Sequence, residues 1–114
     1  MNGAAVELIL AVGRFQDIVY QNAKSKGWHD KPNDPVVSLA LIHCEASEAV
    51  EAIRHGNPPS EHIPRFSGVE EELADIVIRC MDLSQEKGYR LGEAIVAKHE
   101  FNRTRPIKHG GKLF

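Results

Sequence analysis

The chain has 114 residues, 26% charged and 42% hydrophobic, with a formal net charge of −2. That length supports one domain with a single core and leaves little room to enclose a substrate alone. The slight acidic balance excludes a global basic field for nucleic acid, so phosphate binding has to be local, and no stretch approaches the roughly 18 apolar residues of a membrane span.

The N-terminus, Met1-Asn2-Gly3-Ala4-Ala5-Val6-Glu7, lacks a basic start and meets an acid before any long apolar run, so it reads poorly as a signal peptide. Two cysteines, Cys44 and Cys80, fall among apolar neighbours in helical stretches. They are expected to be buried, reduced thiols of a cytoplasmic protein rather than a disulfide framework.

Four helices are predicted. The first runs from about Ala4 to Lys26, where Val6, Ile9, Val12, Phe15, Ile18 and Val19 recur at helical intervals and Gly27 supplies a C-cap. A loop through Trp28, His29 and Asn33 follows; a lone tryptophan there is expected to pack against a neighbouring helix, with base stacking as its functional alternative. Asp34 as N-cap and Pro35 at the first helical position open the second helix, which ends at Gly56. Asn57-Pro58-Pro59 begins a loop reaching about Phe66. Ser67-Gly68-Val69-Glu70 reads as a capping box opening the third helix, which stops at Gly88. The fourth spans roughly Leu91 to Arg103 and is ended by Pro106; a basic, glycine-bearing tail, 107–114, completes the chain. With no strand pattern, the expected fold is an all-α, four-helix-bundle-type domain over residues 1–106. His43, His55, His62, His99 and His109 show no zinc spacing, and Gly110-Gly111-Lys112 lacks the frame of a phosphate loop.

Two acidic pairs stand out, Glu45-Ala-Ser-Glu48 and Glu72-Leu-Ala-Asp75. On a helix, residues three apart are neighbours, roughly 5–6 Å apart at Cβ. Each pair therefore projects two carboxylates the same way, and facing helices would converge four. Two bare charges 4 Å apart repel by about 4 kcal/mol at an effective dielectric of 20, so such a cluster calls for a hard cation such as Mg²⁺, completed by substrate phosphates. In the second helix the main apolar stripe is Leu39, Ile42, Ala46, Ala49, Val50 and Ile53, with His43, Ser47, Glu51 and Arg54 opposite. Glu45 and Glu48 instead interrupt a packing series, Leu41, Glu45, Glu48, Ala52, which sets them apart from a solvated face. In the third helix Val69, Leu73, Ile76, Val77, Ile78, Cys80, Met81 and Leu83 cover most of the circumference, and the acids occupy a narrow strip with Arg79 and Asp82. Arg79, one turn beyond Asp75, is placed to orient or neutralise that carboxylate, and Asp82 to stand in an outer shell.

The order helix, Glu45-x-x-Glu48, loop, Glu72-x-x-Asp75, helix resembles the MazG-like branch of the all-α nucleotide pyrophosphohydrolases. The surrounding runs Leu41-Ile-His-Cys-Glu-Ala-Ser-Glu-Ala-Val-Glu-Ala-Ile-Arg54 and Glu71-Glu-Leu-Ala-Asp-Ile-Val-Ile-Arg79 carry the likeness, as does Lys98-His-Glu-Phe-Asn-Arg-Thr-Arg-Pro106. It covers about residues 5–109. The resemblance implies a Mg²⁺-dependent enzyme, with Mn²⁺ as a substitute, that splits nucleoside triphosphates into monophosphate and pyrophosphate. It also implies a homodimer or homotetramer with sites near the interfaces. Many such proteins carry EExxE where this chain has Cys44 before Glu45, so four carboxylates remain for one ion, and a further ion depends on Glu51, Asp82 or substrate oxygens.

In that chemistry Glu45, Glu48, Glu72 and Asp75 hold the metal, and Glu45 or Glu48 orients the attacking water and accepts its proton. Lys98, Asn102 and Arg105 share one helical face, and the resemblance assigns Lys98 and Asn102 to the nucleotide. Three other readings compete. A di-iron carboxylate protein expects Glu-x-x-His ligands, which neither pair supplies. A phosphoribosyl-ATP pyrophosphatase shares the same core. A non-catalytic helical partner protein would treat the acids as surface.

Overall fold

A computed structural model describes all residues 1–114 as helices joined by loops, in the order α1 (Gly3–Ser25), α2 (Pro35–Arg54), α3 (Gly68–Lys87), α4 (Leu91–Arg103) and a one-turn α5 (Lys108–Gly111). The local signals fix the ends. The Asp34 carboxylate accepts from the Val36 amide at 2.9 Å, with Pro35 in the first turn. The Ser67–Glu70 capping box is closed in both directions, and Gly88, at φ 74°, terminates α3 in the left-handed conformation that glycine adopts without penalty. Asn2 caps α1 by accepting from the Ala5 amide at 2.8 Å, a signal not weighed in the sequence. The α5 turn is left-handed, with His109 at φ 52° and Gly110 at φ 93°, and the tail beyond Pro106 projects outward with Ile107, Leu113 and Phe114 almost fully exposed.

The packing is α2 on α3, α1 on α3 and α4 on α1. α2 and α3 run antiparallel: Ala52 meets Gly68 at the loop end, and Glu45 reaches Arg79 further along. α1 joins α3 through Gln16, whose amide donates to Gln85 at 3.0 Å. α4 approaches α1 through Gly92, where an added Cβ would lie 3.2 Å from the Ile9 Cα and 3.2 Å from the Val12 Cβ. No helix is long and apolar enough to cross a membrane.

The expected cores of α2 and α3 are corrected by this packing. Leu39, Val50 and Ile53, read as the buried stripe of α2, are more than half exposed, as are Leu73 and Val77 on α3. The face of α2 turned to α3 is the series Ile42, Glu45, Ala49 and Ala52, so acids take the inner positions and much of the apolar surface faces out. Only Val12 and Leu83 among hydrophobic residues are buried, and Phe15 and Ile18 of α1 are exposed too. Cys44, expected inside, is exposed, because it lies on the outward side of α2; Cys80 is half-buried, and burial raises its thiol pKa. The chain exposes 8725 Å², against about 6,200 Å² for a compact monomer of this mass. Its radius of gyration is 16.4 Å, against about 13 Å.

Candidate metal centre

The antiparallel pairing of α2 and α3 brings Glu45, Glu72 and Asp75 together, with one oxygen from each within 4.8 Å of the others. Glu45 comes from the middle of α2; Glu72 and Asp75 come from the first two turns of α3, three residues apart on one face. Glu45 is nine-tenths buried, and Arg79 Nε donates to its Oε1 at 2.9 Å. Arg79 therefore serves the carboxylate across the helix pair as well as lowering the pKa of Asp75 on its own helix. The other oxygens, Glu45 Oε2 and Glu72 Oε2, are buried and have no hydrogen-bond partner. Buried carboxylate oxygens without a donor are costly.

Crowding sets the titration of the group. Burial, and then the neighbouring carboxylates of Glu45 and Glu48, push Glu72 up to about 8. Burial and the charges of Glu45 and Glu71 raise Asp75. Burial also works against the Glu45 carboxylate, but its polar neighbours Glu72, Arg79 and Glu48 outweigh it and hold Glu45 below the usual range. A proton on Glu72 relieves this repulsion when no cation is near. Three converging carboxylates with two orphaned oxygens form a hard, oxygen-only donor set, which suits Mg²⁺ or Mn²⁺.

The other predicted residues are distributed more widely. Glu48 lies outside the three-carboxylate group on an exposed turn, near enough to act on Glu72. Glu51 faces outward and pairs with His55 at 2.8 Å. Asp82 accepts from His29 Nε2 at 2.8 Å, two turns and about 10 Å along the helix from Asp75, so it belongs to a different cluster. Trp28, expected to anchor packing, is 69% exposed. Its backbone is fixed by Asn33, whose amide donates to the Trp28 carbonyl at 3.0 Å. The anchor is the next residue. The His29 side chain is 3% exposed, clasped by Asp82 and by Glu86 at 3.1 Å, and stacked against Tyr20. Burial opposes its charge, yet the two carboxylates win and raise its pKa.

Lys98 and Arg105 both lie over the Phe101 ring, at 4.6 and 5.6 Å. Lys98, His99 and Asn102 line a shallow groove of about 430 Å³ with Leu91, Ala94 and Ile95. α4 packs on α1, whereas the carboxylates lie between α2 and α3, so helix packing within one chain does not carry this basic face to the acidic cluster.

Comparison with known proteins finds no matching family, no similar curated protein and no similar solved structure.

Proposed function

We propose that the protein is a Mg²⁺-dependent nucleoside triphosphate pyrophosphohydrolase that acts as a dimer or a pair of dimers. The observation that carries this reading is the trio Glu45, Glu72 and Asp75, with two buried oxygens that no protein donor satisfies. A divalent cation held there would neutralise the carboxylates and the substrate's phosphates together. Glu45, Glu72 and Asp75 hold the ion in this reading, and Arg79 fixes the Glu45 carboxylate so that its free oxygen faces the cluster. Glu48, exposed beside Glu72, has the freedom to orient a water and accept its proton.

Two observations favour a second copy. The surplus of exposed area, about 2,500 Å² over a compact monomer, matches what an obligate interface covers, and it is rich in Leu39, Val50, Ile53, Leu73 and Val77. A partner also offers the route by which Lys98 and Asn102 of α4, and Arg105 just beyond its end, reach a carboxylate cluster, since the packing of α4 on α1 does not. The exposed Trp28 indole is free to stack on a base. The role suggested is nucleotide-pool sanitation in the cytoplasm.

Phosphorus NMR with mixed ribo- and deoxyribonucleoside triphosphates tests the reading. Monophosphate and pyrophosphate appear only with Mg²⁺; orthophosphate and diphosphate, or no product from any substrate, would overturn it. Glu48→Gln and Asp75→Asn lose turnover while keeping the helical circular dichroism of the parent.

A further inference from the structure

The segment between α2 and α3 is more ordered than its prolines and polar residues suggest. Gly68 N donates to the Pro58 carbonyl at 2.8 Å, and Ser60 N to the Phe66 carbonyl at 2.8 Å, so the two ends of the loop are tied together. Ser60 is 4% exposed. Its hydroxyl accepts from the His62 and Ile63 amides and donates to Glu71 Oε2 at 2.6 Å. The other oxygen of Glu71 accepts from His62 Nδ1, also at 2.6 Å. Glu71 thus locks the loop and aims one imidazole.

Its position gives this arrangement meaning. Glu71 directly precedes Glu72 and stands one turn, about 6 Å, before Asp75 on α3. His62 is therefore held at the edge of the acidic trio, and its ring is open to solvent, 81% exposed at the side chain. With Nδ1 committed to Glu71, Nε2 is free. Beyond Glu71, the charges of Glu61 and Asp75 also act on the ring and favour its protonated form. A nucleoside triphosphate on the trio would bring more negative charge than one divalent ion offsets, so it needs further cationic donors nearby. Arg79 is committed to Glu45, and Lys98 and Arg105 lie against Phe101 on α4. Arg65, three residues beyond His62, has no partner that fixes it. His62, whose pKa Glu71 raises and whose ring donates from both nitrogens once protonated, is the donor of the α2–α3 unit that is both aimed and open.

We propose that His62 is a phosphate-binding residue whose Nε2–H, aimed by Glu71, donates to a terminal phosphate oxygen of the triphosphate and of the pyrophosphate it releases. This rests on the pyrophosphohydrolase reading and adds to it a donor from the same chain as the metal ligands. The bond is charge-assisted on both sides, the kind that carries roughly a tenfold effect on affinity. Because the contact exists in bound substrate as well as during reaction, its loss raises KM and leaves kcat close to the parent value.

The test combines kinetics with binding of inorganic pyrophosphate in the presence of Mg²⁺. In the parent, addition of Mg²⁺ and pyrophosphate shifts the proton resonance of the His62 ring. His62→Gln raises KM and the pyrophosphate dissociation constant roughly tenfold, and His62→Lys, which restores a cation, recovers most of both. A parent that turns over substrate while His62→Gln matches it in KM and pyrophosphate affinity overturns the His62 assignment alone. Equal losses in His62→Gln and His62→Lys also overturn it, because the residue would then act only by holding the loop. A parent that neither hydrolyses triphosphates nor binds pyrophosphate removes the pyrophosphohydrolase reading itself, and the assignment with it.

Discussion

Replacing Glu72 by glutamine is predicted to stabilise the metal-free protein while destroying its response to metal. Glu72 has a folded pKa of about 8 against an ordinary 4.5. An acid whose pKa is raised on folding binds more protons in the native state, so its favourable contribution is complete below about pH 4.5 and is lost as pH climbs through 8. At 1.36 kcal/mol per unit the shift corresponds to about 5 kcal/mol. Water reaches the open side of the cluster and screens the repulsion, which reduces the expected effect to about 1–2 kcal/mol. Glutamine keeps the shape of the protonated acid and carries no charge. In EDTA at pH 8.5, Glu72→Gln is therefore expected to melt about 4–8 °C above the parent, and the gap closes at pH 5. Adding Mg²⁺ or Mn²⁺ raises the melting temperature of the parent and leaves the variant unmoved. A variant that melts below the parent in EDTA at pH 8.5, or that gains as much from Mg²⁺, refutes the reasoning.

Other outcomes follow from the same structure. His29→Gln removes a buried cation from between Asp82 and Glu86, costing about 2–3 kcal/mol. Since the folded pKa of His29 is raised, that cost is full below about pH 6.5 and shrinks as pH rises through the folded value; urea melts of both proteins at pH 6 and pH 9 measure it. Gly92→Ala gains helix propensity but meets the α1 backbone at 3.2 Å, so denaturant titration should show a net loss of about 1–3 kcal/mol. Val50→Asp, on the outward apolar face of α2, should convert a sedimenting dimer into monomers, and a parent that sediments as a monomer at 100 µM would contradict the proposed assembly.

Much of the fold was legible because its punctuation is local. Asp34 with Pro35, Ser67 with Glu70, and Gly88 each set a helix end through bonds to residues within four positions. What the sequence did not reveal is which face of each helix turns inward. α2 carries the apolar stripe Leu39, Ile42, Ala46, Ala49, Val50 and Ile53 beside the mixed series Leu41, Glu45, Glu48 and Ala52. Only the tertiary pairing with α3 selects the face between them, Ile42, Glu45, Ala49 and Ala52. The same selection put Cys44 outside. At the candidate site, the convergence of Glu45 with Glu72 and Asp75 was readable from spacing on two helices that follow one another in the chain and pack as antiparallel neighbours. The clasp on His29 was not readable, because its acids lie 53 and 57 residues away on another helix. Nor was the Ser60–Glu71–His62 lock, although a serine, an acid and a histidine flanking a proline-rich loop were its visible components.

Glu45, Glu72 and Asp75 are proposed to form one divalent-cation site. Electron paramagnetic resonance of free Mn²⁺, titrated into the metal-free protein at pH 7.5, tests it most directly. The parent is expected to hold one Mn²⁺ tightly on every chain, to release it to Mg²⁺, and to lose the site in both Glu72→Gln and Asp75→Asn. A parent protein that leaves all added Mn²⁺ free in solution, or variants that bind it as the parent does, would contradict it.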